Sequence, residues 1–335
     1  MTERHRVVVV GAGRISSMHF DYFAMRPERI ELVGAVDPSD ERRAWAADTY
    51  GIPTVASIAE AIADIDFDIA VVATPSHVRV PAVRELAAAG KHILVEKPFA
   101  NSIDEAQQMV AAADEGGVQL AVDQNFRDHY PFELARAAIA AGRIGRVIGI
   151  EQRELQFRSE VGWRMELDRY ALMIMGVHWF DGFRMLADSD PTWLTASIAS
   201  SPAIETNGET DAFALVRFGD IVATLVQSFS SRVDSTETVV LGEAGTLHLD
   251  YNRLEIRTAD GVDVQVGEGF GDGKSLSAYR QLEHLLDAID TGGEAPNSGR
   301  DNLRTIGLLE AVYDSAAHGG APVTFSNGMP IGVGA

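Results

Sequence analysis

Short apolar runs and longer stretches of helical periodicity follow one another along residues 1–122. The runs RVVVV and DIAVVATPS are apolar at their centres, which indicates strands buried on both faces of a parallel sheet. The stretches between them have the period of helices, for example IDEAQQMVAAADE, for which Asn101 or Ser102 is the expected N-cap. Strands that alternate with helices of about 10 to 15 residues predict a doubly wound α/β Rossmann domain.

The pattern changes from residue 123 onward. RVIGIEQRELQF is typical of a long strand, and AFALVRF with IVATLVQSF predicts a hairpin whose two-residue turn is Gly219-Asp220. Further strands are predicted at TETVVLG, GTLHLD, RLEIRT and VDVQV, and helices at about 275–290 and 301–317. We therefore expect residues 123–335 to form an α+β domain with a large, open, mostly antiparallel sheet.

An open sheet of this kind has one face against its helices and one face left over. Candidates for the leftover face are Phe213, Leu215 and Leu225. Because such faces commonly pair between subunits, we expect a homo-oligomer, a dimer or a tetramer, formed through this sheet.

The charge balance narrows the classes of partner. Acidic residues outnumber basic ones by 49 to 28, and the formal net charge is −21. So acidic a surface repels phosphate backbones and anionic lipid, so we expect a small-molecule substrate and neither nucleic acid nor membrane as partner. The chain has no cysteine, which excludes disulfides and thiolate chemistry. The apolar run near the N-terminus is too short for a signal sequence, so a cytoplasmic protein is the default expectation.

The turn after the first strand carries the first chemical signal. In GAGRIS, Gly11 allows a tight turn, and Gly13 lets backbone N–H groups approach a pyrophosphate at the start of the next helix. Ser16 stands where a third small residue permits close helix packing. Asp37 follows about 20 residues later, at the end of the second strand. This spacing predicts a dinucleotide-binding site.

Asp37 also bears on the choice of dinucleotide. A carboxylate at this position accepts the ribose hydroxyls of NAD and repels the 2′-phosphate of NADP. NAD is therefore the expected cofactor, although Arg42 and Arg43 are near enough in sequence to leave NADP open.

Four motifs, taken in order, carry a resemblance to a known family. They are GAGRIS, ATPSHVRVPAVRELAAAGKHILVEKPFA, QNFRDHYPFELARAAIAAGRIGRVIGI and GVHWFDGFRML. They resemble the glucose–fructose oxidoreductase and inositol dehydrogenase (Gfo/Idh/MocA) family from residue 6 to about residue 320. The resemblance implies an NAD(P)-dependent oxidoreductase that acts on sugars, polyols or related hydroxy compounds.

The same resemblance implies roles for individual residues. The lysine of EKP and the histidine of GxH, here Lys97 and His178, are implied to face the nicotinamide as the catalytic pair, and Glu96 and Pro98 to shape the turn beside it. The cofactor-binding set is Gly11, Gly13, Arg14, Ile15, Asp37, Thr74, Pro75, His77, Glu96, Lys97, Trp163 and Arg164. Residues expected to contact the substrate are Gln124, Asn125, Arg127, Arg164 and His178.

The chemistry of alcohol oxidation suits this pair. Hydride leaves for the nicotinamide, and the hydroxyl proton must also be removed. Lys97 can hydrogen-bond the same oxygen and stabilise the developing charge. Only three lysines occur in this arginine-dominated chain, Lys91, Lys97 and Lys274, and an arginine could not give up its proton in the same way.

One departure from the family pattern, D-x-G-x-H, stands four residues before the histidine. That position is Ile174, so the customary acid is missing. Asp168, ten residues before His178, is a poor replacement on a continuous helix. Asp181 lies on the same side as His178, where it can hold the imidazole tautomer or serve the structure.

Several explanations of the missing acid stay open. Lys97 and His178 can suffice alone, or an unusual substrate can be completed by an arginine such as Arg127, Arg158 or Arg164. The protein can instead be a dinucleotide-binding sensor without turnover, or an NAD-dependent elimination or glycosidase enzyme with an internal redox cycle. No metal is expected beside His178, because no second ligand stands at a suitable spacing, and His248 is interpreted as structural.

Overall fold

The structure, a computed structural model, describes residues 4–25, 27–267 and 270–333. The chain divides into two compact units, the first made of Met1–Asn125 with Lys274–Leu303 and the second of Phe126–Gly273 with Arg304–Ala335. Residues 274–303, which the sequence pattern assigned to the second domain, pack on the first unit. They pack there because the side chains of Tyr279, Leu282 and Leu286 are buried in the same core as Val7 and Ile69.

The first unit contains a six-stranded parallel sheet in the order β3-β2-β1-β4-β5-β6. This confirms the doubly wound pattern of strands and helices. The elements are β1 His5–Val10, α1 Ser16–Met25, β2 Ile30–Val36, α2 Asp40–Tyr50, β3 Thr54–Val55, α3 Ile58–Asp64, β4 Ile69–Val72, α4 Arg79–Ala88, β5 His92–Glu96, α5 Ile103–Gly116 and β6 Leu120–Asp123.

Local chemistry sets the ends of these helices. Ser39, Ser57 and Ser102 have extended backbones, and their side chains accept hydrogen bonds from the first turns of α2, α3 and α5. Of the two caps predicted for α5, Ser102 is the N-cap. Gly51 and Gly117 end α2 and α5 in the left-handed conformation.

The second unit contains a ten-stranded sheet in the order β14-β13-β12-β11-β7-β10-β9-β8-β15-β16. Its strands are β7 Val147–Phe157, β8 Trp193–Ala199, β9 Asp211–Phe218, β10 Ile221–Ser228, β11 Ser230–Gly242, β12 Gly245–Leu249, β13 Arg253–Thr258, β14 Gly261–Val266, β15 Val323–Ser326 and β16 Met329–Val333. The pairs are antiparallel except β7 with β10, which is parallel. The predicted hairpin is confirmed, with Gly219 at φ 62° in the turn. The sequence pattern missed β8, β15 and β16.

The remaining helices are α6 Tyr130–Ala140, α7 Val177–Ala187, α8 Phe270–Thr291 and α9 Gly299–Ala317. A five-residue π-helical segment, Leu172–Gly176, leads directly into α7. Within the described ranges, no helix combines the length and the apolar character needed to cross a membrane.

Strands β9 and β10 show how the two faces of the large sheet differ. Phe213 and Val226 are opposite each other in the register and are 47% and 37% exposed. Leu225 is 1% exposed and pairs with Ala214, so its placement on the leftover face is wrong. Side chains alternate along a strand, so Leu225 and Val226 necessarily point to opposite faces.

Candidate active site

The glycine turn between β1 and α1 has the shape of a phosphate cradle. Gly11 has a φ of 98°, and a Cβ there would lie 3.1 Å from Thr74 Cγ2. A Cβ on Gly13 would meet no heavy atom of the described chain within 4 Å, so the space beside it is open. Arg14 and Ile15 directly precede α1, whose first backbone N–H groups lack intrahelical partners. These residues fit a dinucleotide pyrophosphate.

Asp37, which directly follows β2, is tied to this turn. Its carboxylate accepts hydrogen bonds from the Ala12 N–H at 2.8 Å and the Ser39 N–H at 2.9 Å. Each oxygen keeps acceptor capacity for a ribose hydroxyl. Arg43 donates to the Asp37 carbonyl at 2.8 Å and pairs with Asp40, whereas Arg42 is exposed.

The segment after β4 borders the same turn. Thr74 Oγ1 is buried and has no hydrogen-bond partner in the part of the chain that the structure describes. Pro75 precedes a 3₁₀ turn, Ser76–Val78, in which Ser76 Oγ donates to Asn101 Oδ1 at 2.6 Å. His77 is exposed. Of the three residues predicted here, Thr74 therefore lies next to Gly11, and His77 faces outward.

Glu96 and Lys97 stand at the carboxyl end of β5. The Glu96 carboxylate is buried and lies 2.8 Å from His19 Nε2, which is itself 3.6 Å from Asp123 Oδ2. Burial favours the neutral acid, but the hydrogen bond to His19 and the charges of Lys97 and Arg79 hold the pKa of Glu96 below its usual value. Lys97 therefore follows a buried carboxylate anion.

Three members of this cluster were missed by sequence reasoning: His19, Arg79 and Asp123. All are at most 3% exposed. The available signal was their position, because a charged residue on the apolar face of a predicted helix or at the end of a buried strand needs a partner. The potential ligand atoms of His19, Glu96 and Asp123 lie within 4.8 Å of one another, but a hydrogen bond accounts for the closest contact and we assign no metal there.

Gln124 follows β6 and is 1% exposed. Its Nε2 and Oε1 atoms are buried and have no hydrogen-bond partner within the described residues. Glu96 of β5 pairs with Asp123 of β6 in the parallel register. The next residues, Lys97 and Gln124, therefore follow neighbouring strands at the same level of the sheet. A buried amide without partners costs stability, and a bound hydroxyl compound would supply them.

In the second unit, Arg127 forms a buried ion pair with Asp181. Its Nε and Nη2 atoms donate to the two carboxylate oxygens at 2.8 and 2.6 Å. Thr305 Oγ1 donates to Asp181 Oδ1 at 2.8 Å, and Arg184 lies 3.6 Å from that oxygen. This network fixes Arg127 against α7 and directs its guanidinium at a protein carboxylate.

His178 lies near the start of α7 and is 4% exposed. Its ring centroid is 4.2 Å from that of Phe126. Just before it, the Val177 N–H donates to the Leu172 carbonyl, five residues back, as a π-helix requires. Gln227 Nε2 donates to the Ala171 carbonyl at 2.9 Å and so supports the wide turn from β10.

This π segment widens the turn just before His178. Its bond joins Val177 to Leu172, five positions back, so Met173 and Ile174 both stand about one turn upstream of His178. Met173 and Ile174 are 4% and 9% exposed and both are apolar. The position upstream of His178 therefore has no acid by either count.

Glu209 holds the start of this helix. Its carboxylate accepts hydrogen bonds from the Leu172 N–H at 2.8 Å, the Tyr170 N–H at 3.1 Å and the Tyr313 hydroxyl at 3.0 Å. Burial, opposed by these hydrogen bonds, raises the pKa of Glu209. The acid thus serves the backbone of the π segment.

Trp163 and Arg164 lie in a 3₁₀ turn, Gly162–Glu166. The Arg164 guanidinium is 4.8 Å from the Trp163 ring centroid, and Trp163 is 37% exposed. Asp168 is exposed and precedes the helix, so it does not replace the missing acid.

Sequence comparison identifies the family of this chain. The family model described as "Oxidoreductase family, NAD-binding Rossmann fold" matches residues 5–124, and that of the GFO/IDH/MocA C-terminal domain matches residues 132–248. The chain belongs to this family, which the motifs had indicated. It is an NAD-binding oxidoreductase of the sugar dehydrogenase type.

Individual relatives cover nearly the whole chain. A D-apiose dehydrogenase of Paraburkholderia graminis is 30% identical over 95% of this chain and 89% of its own length. A 1,5-anhydro-D-fructose reductase of Ensifer adhaerens is 29% identical, over 89% and 92% of the two chains. An oxidoreductase from Agrobacterium radiobacter in complex with NAD+, L-tartaric acid and magnesium has the same fold, with a TM-score of 0.87 at 24% identity over 96% and 98%.

Proposed function

We propose that the protein is an NAD-preferring dehydrogenase of a sugar, a polyol or a related hydroxy compound, and that Lys97 and His178 carry its chemistry. The observation that carries the proposal is the first unit's combination of an open glycine turn, Asp37 bonded to that turn, and Lys97 after a buried carboxylate. The relatives named above act on sugars as redox enzymes, which supports the same class of substrate.

Bound NAD would accept hydride from the carbinol carbon. Gly11, Gly13, Arg14 and Ile15 would hold its pyrophosphate, and Asp37 its adenosine ribose. The ammonium of Lys97 donates a hydrogen bond to the substrate oxygen and stabilises the charge that develops there. The imidazole of His178 accepts the hydroxyl proton in this scheme.

Asp37 supports the preference for NAD over NADP. A second negative charge from a 2′-phosphate would meet this carboxylate. Arg43 donates to the Asp37 carbonyl and pairs with Asp40. Arg42 is exposed on the same segment and keeps NADP as the alternative dinucleotide, so the preference for NAD rests on the charge of Asp37.

The same site admits two other functions, because the helix before His178 has no acid at Met173 or Ile174. A sensor would bind dinucleotide without turnover. An elimination or glycosidase enzyme would return its hydride and keep its NAD. We favour the dehydrogenase because the similar proteins named above are a D-apiose dehydrogenase and a 1,5-anhydro-D-fructose reductase.

The test is the absorbance of reduced nicotinamide with NAD, then NADP, across polyols, aldoses and sugar acids. Lys97→Met and His178→Ala are compared with the wild-type protein, and calorimetry measures NAD binding. Turnover lost in both variants with NAD binding intact supports the proposal. Tight NAD binding without turnover on any compound favours the sensor or the internal cycle, and no dinucleotide binding overturns all three.

We also propose that the protein is a homo-oligomer formed through the open face of the large sheet. Phe213 and Val226 are exposed apolar neighbours on that face. Exposed apolar area of this kind favours pairing with a second copy.

A further inference from the structure

Arg79, the first residue of α4, is 3% exposed and makes hydrogen bonds only to main-chain oxygens among its described partners. Its Nε and Nη2 atoms donate to the Thr74 carbonyl at 3.1 and 2.8 Å. Its Nη1 atom donates to the carbonyls of Glu96 and Pro98. The last two residues flank Lys97 on both sides.

Burying a guanidinium for such contacts is costly. Desolvation is the largest effect on this group and lowers the pKa of Arg79 to about 10. The charge of Glu96 acts in the opposite direction. A smaller, neutral amide would be cheaper to bury, but only the planar guanidinium presents enough donors for three carbonyls in fixed directions. The three carbonyls lie at the carboxyl ends of the neighbouring strands β4 and β5 or directly after them.

We infer that Arg79 is a positioning residue that fixes the backbone on both sides of Lys97 and so aims the lysine amino group. The inference rests on the proposed function for the role of Lys97. Thr74, the third acceptor, lies beside Gly11 of the glycine turn. Arg79 therefore also keeps the turn that carries Lys97 at a fixed place relative to the segment that borders the cofactor cradle.

The same helix offers a matched control. Arg84 is exposed and donates to Gln108 Oε1 at 2.9 Å on the surface of the unit. Arg79→Met and Arg84→Met remove the same group from one helix. Arg79→Lys keeps the charge and the stem but has no planar fork, so it reaches fewer of the three carbonyls.

The small number of lysines permits a measurement that needs no turnover. Reductive methylation with ¹³C-formaldehyde labels Lys91, Lys97, Lys274 and the N-terminal amine, and Lys97→Arg assigns the Lys97 resonance. Lys91, whose Nζ donates to the Phe67 carbonyl at 2.7 Å, is an internal reference. In Arg79→Met we expect the Lys97 resonance to move toward that of a free methylated lysine, with Lys91 unchanged. Arg84→Met should match the wild-type spectrum.

Steady-state kinetics on unmethylated protein give the second readout. A displaced reacting group costs on the order of 100-fold in rate, so kcat should fall 10- to 100-fold in Arg79→Met, with KM for NAD within about twofold. The kcat of Arg79→Lys should lie between that of Arg79→Met and that of the wild-type protein. This variant tests the inference if Arg79→Met does not fold. A folded Arg79 variant with wild-type Lys97 resonance and kcat overturns the inference. A wild-type protein without turnover, whose Lys97 resonance still shifts in Arg79→Met, overturns the proposed dehydrogenase and leaves the positioning role standing.

Discussion

At the scale of single residues, Asp37 is the proposed discriminator between the two dinucleotides. Asp37→Asn keeps one oxygen for the Ala12 or Ser39 N–H and removes the charge that repels a 2′-phosphate. We expect the ratio of kcat/KM for NAD to that for NADP to fall roughly tenfold, about 1.4 kcal/mol. Asp48→Asn, an exposed change on the neighbouring helix α2, should leave the ratio unchanged. An unchanged ratio in Asp37→Asn would place the discrimination elsewhere.

Glu209 is a residue whose charge costs stability. Because its pKa is raised on folding, the native protein holds its proton more tightly than the unfolded chain. The free energy of unfolding therefore contains a contribution that declines as pH rises from the usual pKa of a glutamate through the raised one. Urea titrations across that range should show that the free energy of unfolding of Glu209→Gln increases relative to that of the wild-type protein as pH rises. Glu209→Ala, which loses the hydrogen bonds to Leu172 and Tyr170, should be less stable by about 1–2 kcal/mol.

At this scale the sequence could predict the geometry of the glycine turn and Asp37, but it could not predict the contacts of Arg127. Gly11, Gly13 and Asp37 could be found because the glycine turn imposes a fixed spacing on a strand, a helix and a following carboxylate. The bond from Arg127 to Asp181 joins residues 54 positions apart, so no local pattern encodes it. The position of Arg79 signals a need for partners, but the partners could not be named because they are main-chain atoms that carry no residue signature.

At the scale of elements, the π segment before α7 depends on Gly176. A Cβ on Gly176 would lie 2.7 Å from Leu172 Cδ2 and 2.9 Å from Gln227 Oε1. Gly176→Ala should therefore lower the free energy of unfolding by about 1–3 kcal/mol. Gly182→Ala, where the nearest atom is Phe132 Cε1 at 3.3 Å, should cost less. Equal stability of the Gly176 variant, measured by urea titration, would contradict this packing.

Strand and helix periods explain which elements were predictable. The continuous apolar runs RVVVV and DIAVVATPS predicted β1 and β4, because strands buried on both faces of a parallel sheet are apolar along their length. Strands β15 and β16 are short and end the sheet, so few of their residues are buried. A π turn has no sequence period of its own, so the wide turn just before His178 could not be predicted by counting in steps of four.

At the scale of the whole molecule, the open face of the ten-stranded sheet is the proposed interface between copies of the chain. Val226→Glu puts a charge beside Phe213 and should break pairing between copies. The molecular mass measured by sedimentation equilibrium should then fall toward that of one chain, 36.1 kDa. Ile331→Glu, at a 67% exposed apolar residue of the edge strand β16, should leave the assembly intact. A wild-type protein that already sediments as one chain would rule out this interface.

The π segment also makes the helix before His178 a place where the chain length itself can vary. Glu209 anchors one side of the segment and the Arg127–Asp181 pair anchors the other. Loss of a single codon within the segment would leave an ordinary α-helix whose two halves keep nearly their present orientation, because the wide turn holds one residue more than an α turn. In evolutionary terms, the wall before the histidine can thus be rebuilt by one deletion or insertion, without exchanging any residue proposed to do chemistry.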